Sequence, residues 1–140
     1  MPNKVLIIDD EEIILQTLKI IFKRADIEVD TVSNPVDAVQ SFPDHRYNVV
    51  LVDVLMPQMA GVDVIRAIKA LNPLCNVMVM TAFSTMTRVV ECIEAGACDY
   101  VTKPFTDINL LVNVVRVGLE RVERWKKSFG VELEGEAIND

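Results

Sequence analysis

The chain has 140 residues, near the roughly 150 that one domain ordinarily takes, so a single domain is expected. At this length folding removes about two thirds of the unfolded surface from water, so a core closes without disulfides or a structural metal, and a hydrophobic fraction of 51% agrees. Fourteen Lys and Arg against twenty-one Asp and Glu give a net charge of −7, the wrong sign for nucleic-acid phosphates or an anionic membrane surface, so no nucleic acid and no membrane is expected as a partner of this chain itself.

Short β-branched runs alternate with helical patterns along the sequence. The first run, Val5 to Ile8, predicts a strand. It is preceded by a single Lys4 and followed at once by Asp9, Asp10, Glu11 and Glu12, which is neither the length nor the flank of a signal peptide, so a cytoplasmic protein is expected. A helix follows with Ile14, Leu18, Ile21, Phe22 and Ala25 on one face, opened by acids that suit a helix N-terminus. Glu28 to Val32 predicts the second strand. Asn34-Pro35 then reads as an N-cap with proline at the first helical position, opening a short helix with Val36, Val39 and Phe42 inward.

Val49 to Val52 predicts the third strand, stopped by Asp53. Such interruptions recur, so despite a mean hydropathy of +0.29 no run approaches the ~18 residues a spanning helix needs. The third helix is expected from Gly61 to Leu71 with Val64, Ile65, Ile68 and Leu71 on one side, and the fourth strand at Val77 to Met80. The fourth helix uses Met86, Val89, Val90, Ile93 and Ala97 in the same way, with Gly96 marking its end. Asp99 to Thr102 predicts the fifth strand, and the fifth helix starts with Thr106 or Asp107 as N-cap and carries Leu110, Leu111, Val114, Val115, Leu119 and Val122. Cys75, Cys92 and Cys98 are odd in number, lie in apolar or helical contexts and show no zinc spacing, so they read as reduced thiols. Residues 131–140 are acidic and aperiodic and read as a frayed tail.

Alternating β and α elements with near-continuous apolar strands specify a doubly wound α/β domain, a parallel sheet covered by helices on both faces. In such sheets the working crevice lies beyond the carboxyl ends of the strands. There the sequence places Asp9 and Asp10 after strand one, Asp53 at the end of strand three, Thr81 after strand four and Lys103-Pro104 after strand five. In a sheet ordered 2-1-3-4-5 strands one and three are neighbours, and three carboxylates would meet. Such a cluster repels itself and raises at least one carboxyl pKa unless a cation or the Lys103 ammonium offsets it. Oxygen-only ligands suit Mg²⁺, which usually shares its site with a phosphate. Asp53, opening the loop Val54-Leu55-Met56-Pro57-Gln58-Met59-Ala60-Gly61, is best placed to attack phosphorus, with Asp9 and Asp10 as a metal clamp and Thr81 and Lys103 on the phosphoryl oxygens.

Over roughly residues 3–122 the chain resembles the receiver domains of two-component response regulators. The resemblance rests on Ile7-Ile8-Asp9-Asp10-Glu11, on Asp53 with Met56-Pro57-Gln58-Met59-Ala60-Gly61, on Thr81-Ala82 and on Tyr100-Val101-Thr102-Lys103-Pro104-Phe105. It implies a flavodoxin-like fold, a five-stranded parallel sheet ordered 2-1-3-4-5 with five helices. It also implies Asp53 as phosphoacceptor, and Mg²⁺ held by Asp9, Asp10, Asp53 and the Leu55 backbone carbonyl. Thr81 and Tyr100 become the switch pair, Lys103 the phosphate-contacting base, and the Lys103-Pro104 bond is expected to be cis. The implied partner is a sensor histidine kinase or phosphotransfer protein, and the implied output surface is helix four, strand five and helix five. Such a domain catalyses its own phosphorylation and dephosphorylation without turning over a substrate.

Singly these residues have plain structural roles: an acid pair as a helix cap, Asp53 paired with Lys103, Thr81 as a strand end, Tyr100 as a core aromatic. Their joint spacing favours function. A hydrolase using Asp53 as nucleophile would want a second acid where Leu55 stands, and a flavin carrier would want a phosphate cradle where Asp9 to Glu12 stand. An unphosphorylated structural receiver is disfavoured because no site residue is missing. Leu55, two after Asp53, and Phe83, two after Thr81, are apolar where the family this chain resembles often places polar residues near the path of the hydrolytic water, which predicts slow autodephosphorylation. Val115, Gly118, Val122, Trp125 and Phe129 continue at 3-4-3-4 spacing, which fits either a homodimer contact or packing back on the body. The receiver is therefore expected over residues 1–122, with 123–140 as an extension of the last helix and an acidic tail or linker.

Overall fold

Every residue of Val49–Asp53 and of Asn76–Thr81 is buried. A strand with no exposed residue needs cover on both faces, and the two hydrophobic clusters of this chain supply it. The computed structural model describes residues 4–44, 46–82 and 85–129. In chain order its elements are β1 (Lys4–Ile8), α1 (Glu12–Arg24), β2 (Glu28–Val32), α2 (Pro35–Ser41), a single 3-10 turn (Phe42–Asp44), β3 (Val49–Asp53), α3 (Gly61–Leu71), β4 (Asn76–Thr81), α4 (Met86–Ala95), β5 (Ala97–Thr102) and α5 (Ile108–Ser128). All strand pairs are parallel and the sheet order is β2-β1-β3-β4-β5. This is the doubly wound flavodoxin-like arrangement expected from the sequence.

The two-residue side-chain period of a strand sorts the core. Leu6, Ile8, Val50, Val52, Val77 and Val79 face one way, against Ala38, Phe42, Val64, Ile65, Ile68 and Cys92. Val5, Ile7, Val49, Leu51, Met78 and Met80 face the other, against Leu15, Leu18 and Phe22 of α1 and Leu111, Val115 and Leu119 of α5. Each such side chain, fully buried, contributes roughly 1.5–3 kcal/mol.

Local signals set the element ends. Asn34 Oδ1 accepts from the Val36 amide at 2.8 Å, with Pro35 following it, and Asp107 Oδ1 accepts from the Leu110 amide at 3.0 Å, which selects Asp107 over Thr106 as the N-cap of α5. Gly96 ends α4 at φ 121°, a left-handed value that glycine alone adopts freely. Gly61 is required by crowding, since a Cβ there would fall on the Val54 Cα.

Several faces differ from the sequence reading. The buried stripe of α1 centres on Leu15, with Ile14 and Ile21 only half-buried at its margins. Val36, Leu71 and Leu110 point to solvent, and Ala38 takes the inward place in α2. The largest departure is α4, where Met86, Val90 and Ile93 are exposed and Cys92 is the buried residue, while Ala97 belongs to β5. In α5 the stripe offered as a dimer contact is spent inside the chain as far as Val122: Val115, Gly118 and Val122 are buried, Trp125 is half-buried and Phe129 is exposed. Residues 131–140, read as a frayed tail, lie outside the described residues.

Candidate functional site

The register of the strands assembles the rim. Ile8 pairs with Val52, so Asp9 and Asp53 stand one step on at neighbouring strand ends. Asp53 pairs with Met80, which puts Thr81 one step further on β4, and Thr81 pairs with Thr102, which delivers Lys103. The Lys103 amide donates to the Thr81 carbonyl at 2.9 Å, and the Lys103-Pro104 bond is cis.

The result is a polar pocket on an apolar base. One carboxylate oxygen each from Asp9, Asp10 and Asp53 lie within 4.8 Å of one another. Asp9 and Asp53 are buried and Asp10 is exposed. Lys103 Nζ stands 2.7 Å from Asp9 Oδ2, 3.3 Å from Asp53 Oδ2 and 3.5 Å from Glu11 Oε1. Asp9 Oδ1 accepts from the Glu11 amide at 2.9 Å and Asp53 Oδ1 from the Leu55 amide at 3.0 Å.

Burial raises the Asp53 pKa above its ordinary value, and the Asp9 charge adds to the rise, against the Leu55 amide and the Lys103 ammonium. The upward shift expected from a crowded acid cluster is present, but its chief cause is loss of water rather than like charge. Burial works against the Lys103 ammonium too, yet Asp9 and Asp53 outweigh it and hold its pKa above the usual lysine value.

These donors fit a hard divalent cation such as Mg²⁺. They are all oxygens, and among the described residues the buried Asp9 Oδ2 is met by the Lys103 ammonium as its one cation. The structure engages Leu55 through its amide, and the Leu55 side chain is exposed. Thr81 is buried and Tyr100 half-exposed, and together they line a cavity of about 180 Å³ between α4 and β5. Phe83 lies outside the described residues. Sequence reasoning gave no role to the Glu11 carboxylate, which faces Lys103 because it lies two positions after Asp9 at the same rim. It also gave none to the buried polar residues Asn48, Asn76 and Lys126 at the opposite end of the sheet.

A family model described as response regulator receiver domain matches residues 5–116. The chain is 35% identical over 106 residues to the chemotaxis protein CheY of Thermotoga maritima, covering 75% of this chain and 88% of that one. It is 34% identical over 112 residues to the regulatory protein AtoC of Escherichia coli, covering 79% of this chain but spanning only 24% of that protein. Among solved structures, a CheY-like receiver domain protein from Methanospirillum hungatei superposes with a TM-score of 0.84 at 23% identity, over 89% of this chain and 99% of that one. A BeF3-activated DrrB receiver domain superposes with a TM-score of 0.77 at 32% identity, over 86% and 99%. The chain belongs to the response regulator receiver domain family of two-component phosphorelay signalling.

Proposed function

We propose that Asp53 accepts a phosphoryl group from a phosphohistidine on a sensor histidine kinase or phosphotransfer protein, and that the acyl phosphate switches the domain between two states. The observation that carries this reading is the Asp53 carboxylate, buried at the rim beside Asp9 and bridged to it by the Lys103 ammonium at 3.3 and 2.7 Å. In the transfer an Asp53 carboxylate oxygen bonds to phosphorus as the P–N bond breaks, and the departing imidazole keeps the electron pair. Bound Mg²⁺, held by Asp9, Asp10, Asp53 and the Leu55 carbonyl, would offset charge on the transferring oxygens. Lys103 turns its ammonium from the carboxylate to a phosphoryl oxygen, and Thr81 donates its hydroxyl to another. The chain turns over no substrate in this cycle and is no enzyme in the ordinary sense.

A phosphoryl group shifts populations only as far as it interacts better with one state, and the approach of Thr81 supplies that difference. The cavity shared by Thr81 and Tyr100 gives room for such a movement. Met86, Val90 and Ile93 of α4, with Tyr100 of β5, form an exposed apolar surface that supports helix α4, strand β5 and helix α5 as the surface read by an output domain or partner. We assign the receiver to residues 1–122 and its helical extension and tail to residues 123–140, in a cytoplasmic protein. Among the described residues no helix is long and apolar enough to cross a membrane.

Intact mass after incubation with a small-molecule phosphodonor tests the reading. One phosphoryl group is expected on the wild type with Mg²⁺ and none on Asp53→Asn. A gain that survives Asp53→Asn, or no gain in the wild type, overturns it.

A further inference from the structure

The amino ends of β3 and β4 carry a polar cluster that takes no part in the rim chemistry. Asn48 precedes β3 and Asn76 opens β4, exposed by 4% and 0%, and the Asn76 amide donates to the Asn48 carbonyl at 2.9 Å. Onto this pair α5 lays Lys126, itself only 6% exposed, whose Nζ donates to Asn48 Oδ1 at 2.9 Å. Gly118, on the same face of α5, lets the helix come down, since a Cβ there would stand 2.5 Å from Met78 Cε and 3.4 Å from Asn76 Cγ. Both side-chain amide atoms of Asn76 are buried without a hydrogen-bond partner among the described residues.

A buried ammonium on a neutral acceptor is a poor way to fasten a helix. Among the described residues no carboxylate lies within 4.0 Å of Lys126 Nζ. Burial lowers its pKa and the Arg46 charge lowers it further, against the opposing effect of Cys75. Methionine would bury a stem of similar length with no charge to desolvate. What the polar contact adds is direction. Sliding or rotating α5 would take the buried Lys126 ammonium off its acceptor, a penalty no apolar side chain at that position imposes. Apolar anchoring also thins here, and Lys126 is the one buried side chain between Glu123 and Ser128.

We propose that Lys126 is a positioning residue, a register pin that fixes the last turns of α5 on the amino ends of β3 and β4 at a cost in stability. The same two strands end at Asp53 and Thr81, so the pin registers the end of α5 to the strands that carry the rim.

Hydrogen exchange and Trp125 emission on the full chain test the pin. Lys126→Met is expected to melt at or above the wild-type temperature while amides of residues 123–129 exchange at least about tenfold faster and Trp125 emission shifts to the red. Asn48→Asp, which gives the ammonium a carboxylate, is expected to slow the same amides. Wild-type exchange and emission in Lys126→Met overturn the proposal. So does a lowered melting temperature with uniformly faster exchange, which would make Lys126 an ordinary stabilising contact. If Lys126→Met fails to fold, Asn48→Asp decides alone, and exchange that is not slowed overturns the pin.

Discussion

Lys103 Nζ stands 2.7 Å from Asp9 Oδ2, although Lys103 follows the fifth strand and Asp9 the first. The sheet order, which places β1 and β3 centrally and β4 and β5 to one side, brings the ammonium over both buried carboxylates. The charge balance of the rim depends on that crossing.

Removing the ammonium leaves the buried Asp9 and Asp53 carboxylates side by side without the cation that bridges them. Lys103→Met should lower unfolding free energy by about 3 kcal/mol in the absence of divalent cations, the usual consequence of orphaning a buried charge. Urea unfolding with chelator present measures it. Added Mg²⁺ should restore part of the loss, and an unchanged midpoint in chelator would contradict the role given to Lys103.

The raised pKa of Asp53 has a defined sign in stability. The folded state keeps this proton to a higher pH than the unfolded chain does, so stability falls as pH rises from the ordinary aspartate value through the folded one, and the penalty persists above it. Asp53→Asn should therefore raise the melting temperature at pH 7, with the advantage shrinking as the pH drops below that window. Paired melts at pH 7 and pH 4 check it, and a less stable variant at pH 7 counts against it.

Cation binding should appear as stability by mass action. At about one hundred times its dissociation constant Mg²⁺ should add roughly 2.7 kcal/mol, and the exposed Asp10 can be changed with little effect on the fold itself. Asp10→Asn is expected to abolish most of the Mg²⁺-dependent rise in melting temperature while leaving the metal-free melt near wild type. An undiminished rise would remove Asp10 from the clamp.

Leu55 holds Asp53 through its backbone, so its side chain is free to vary. Leu55→Asn should place a polar group two positions after Asp53 and speed loss of the phosphoryl group about tenfold, with no change in melting temperature. Decay followed by intact mass reads it directly. A half-life at or above that of the wild type would show that Leu55 does not set the lifetime.

The five strands, the caps Asn34 and Asp107, the stop at Gly96 and each rim residue were legible in the sequence because each depends on local chemistry. A strand buried on both faces must be an unbroken apolar run, a cap must offer a side-chain acceptor, and an acid that stops such a run must lie at the sheet's rim. The helix faces were less legible. The apolar period of α4 marks a stripe but not whether anything covers it, and Met86, Val90 and Ile93 are left open because the sheet ends at β5. Leu15 was passed over in favour of Ile14 because adjacent apolar residues leave the rotation of α1 undecided until the helix packs.

By itself, then, the sequence determined the alternation of elements, the doubly wound class and the placing of Asp9, Asp10, Asp53, Thr81 and Lys103 at the strand ends, since composition and spacing are local properties, whereas Tyr100 was singled out by the family resemblance alone. Only the tertiary structure decided that burial, more than like charge, raises Asp53, that Glu11 also faces Lys103, and that Lys126 reaches Asn48. Those are relations between residues far apart in the chain, and both desolvation and pairing exist only after the strands have ordered and the helices have docked on them.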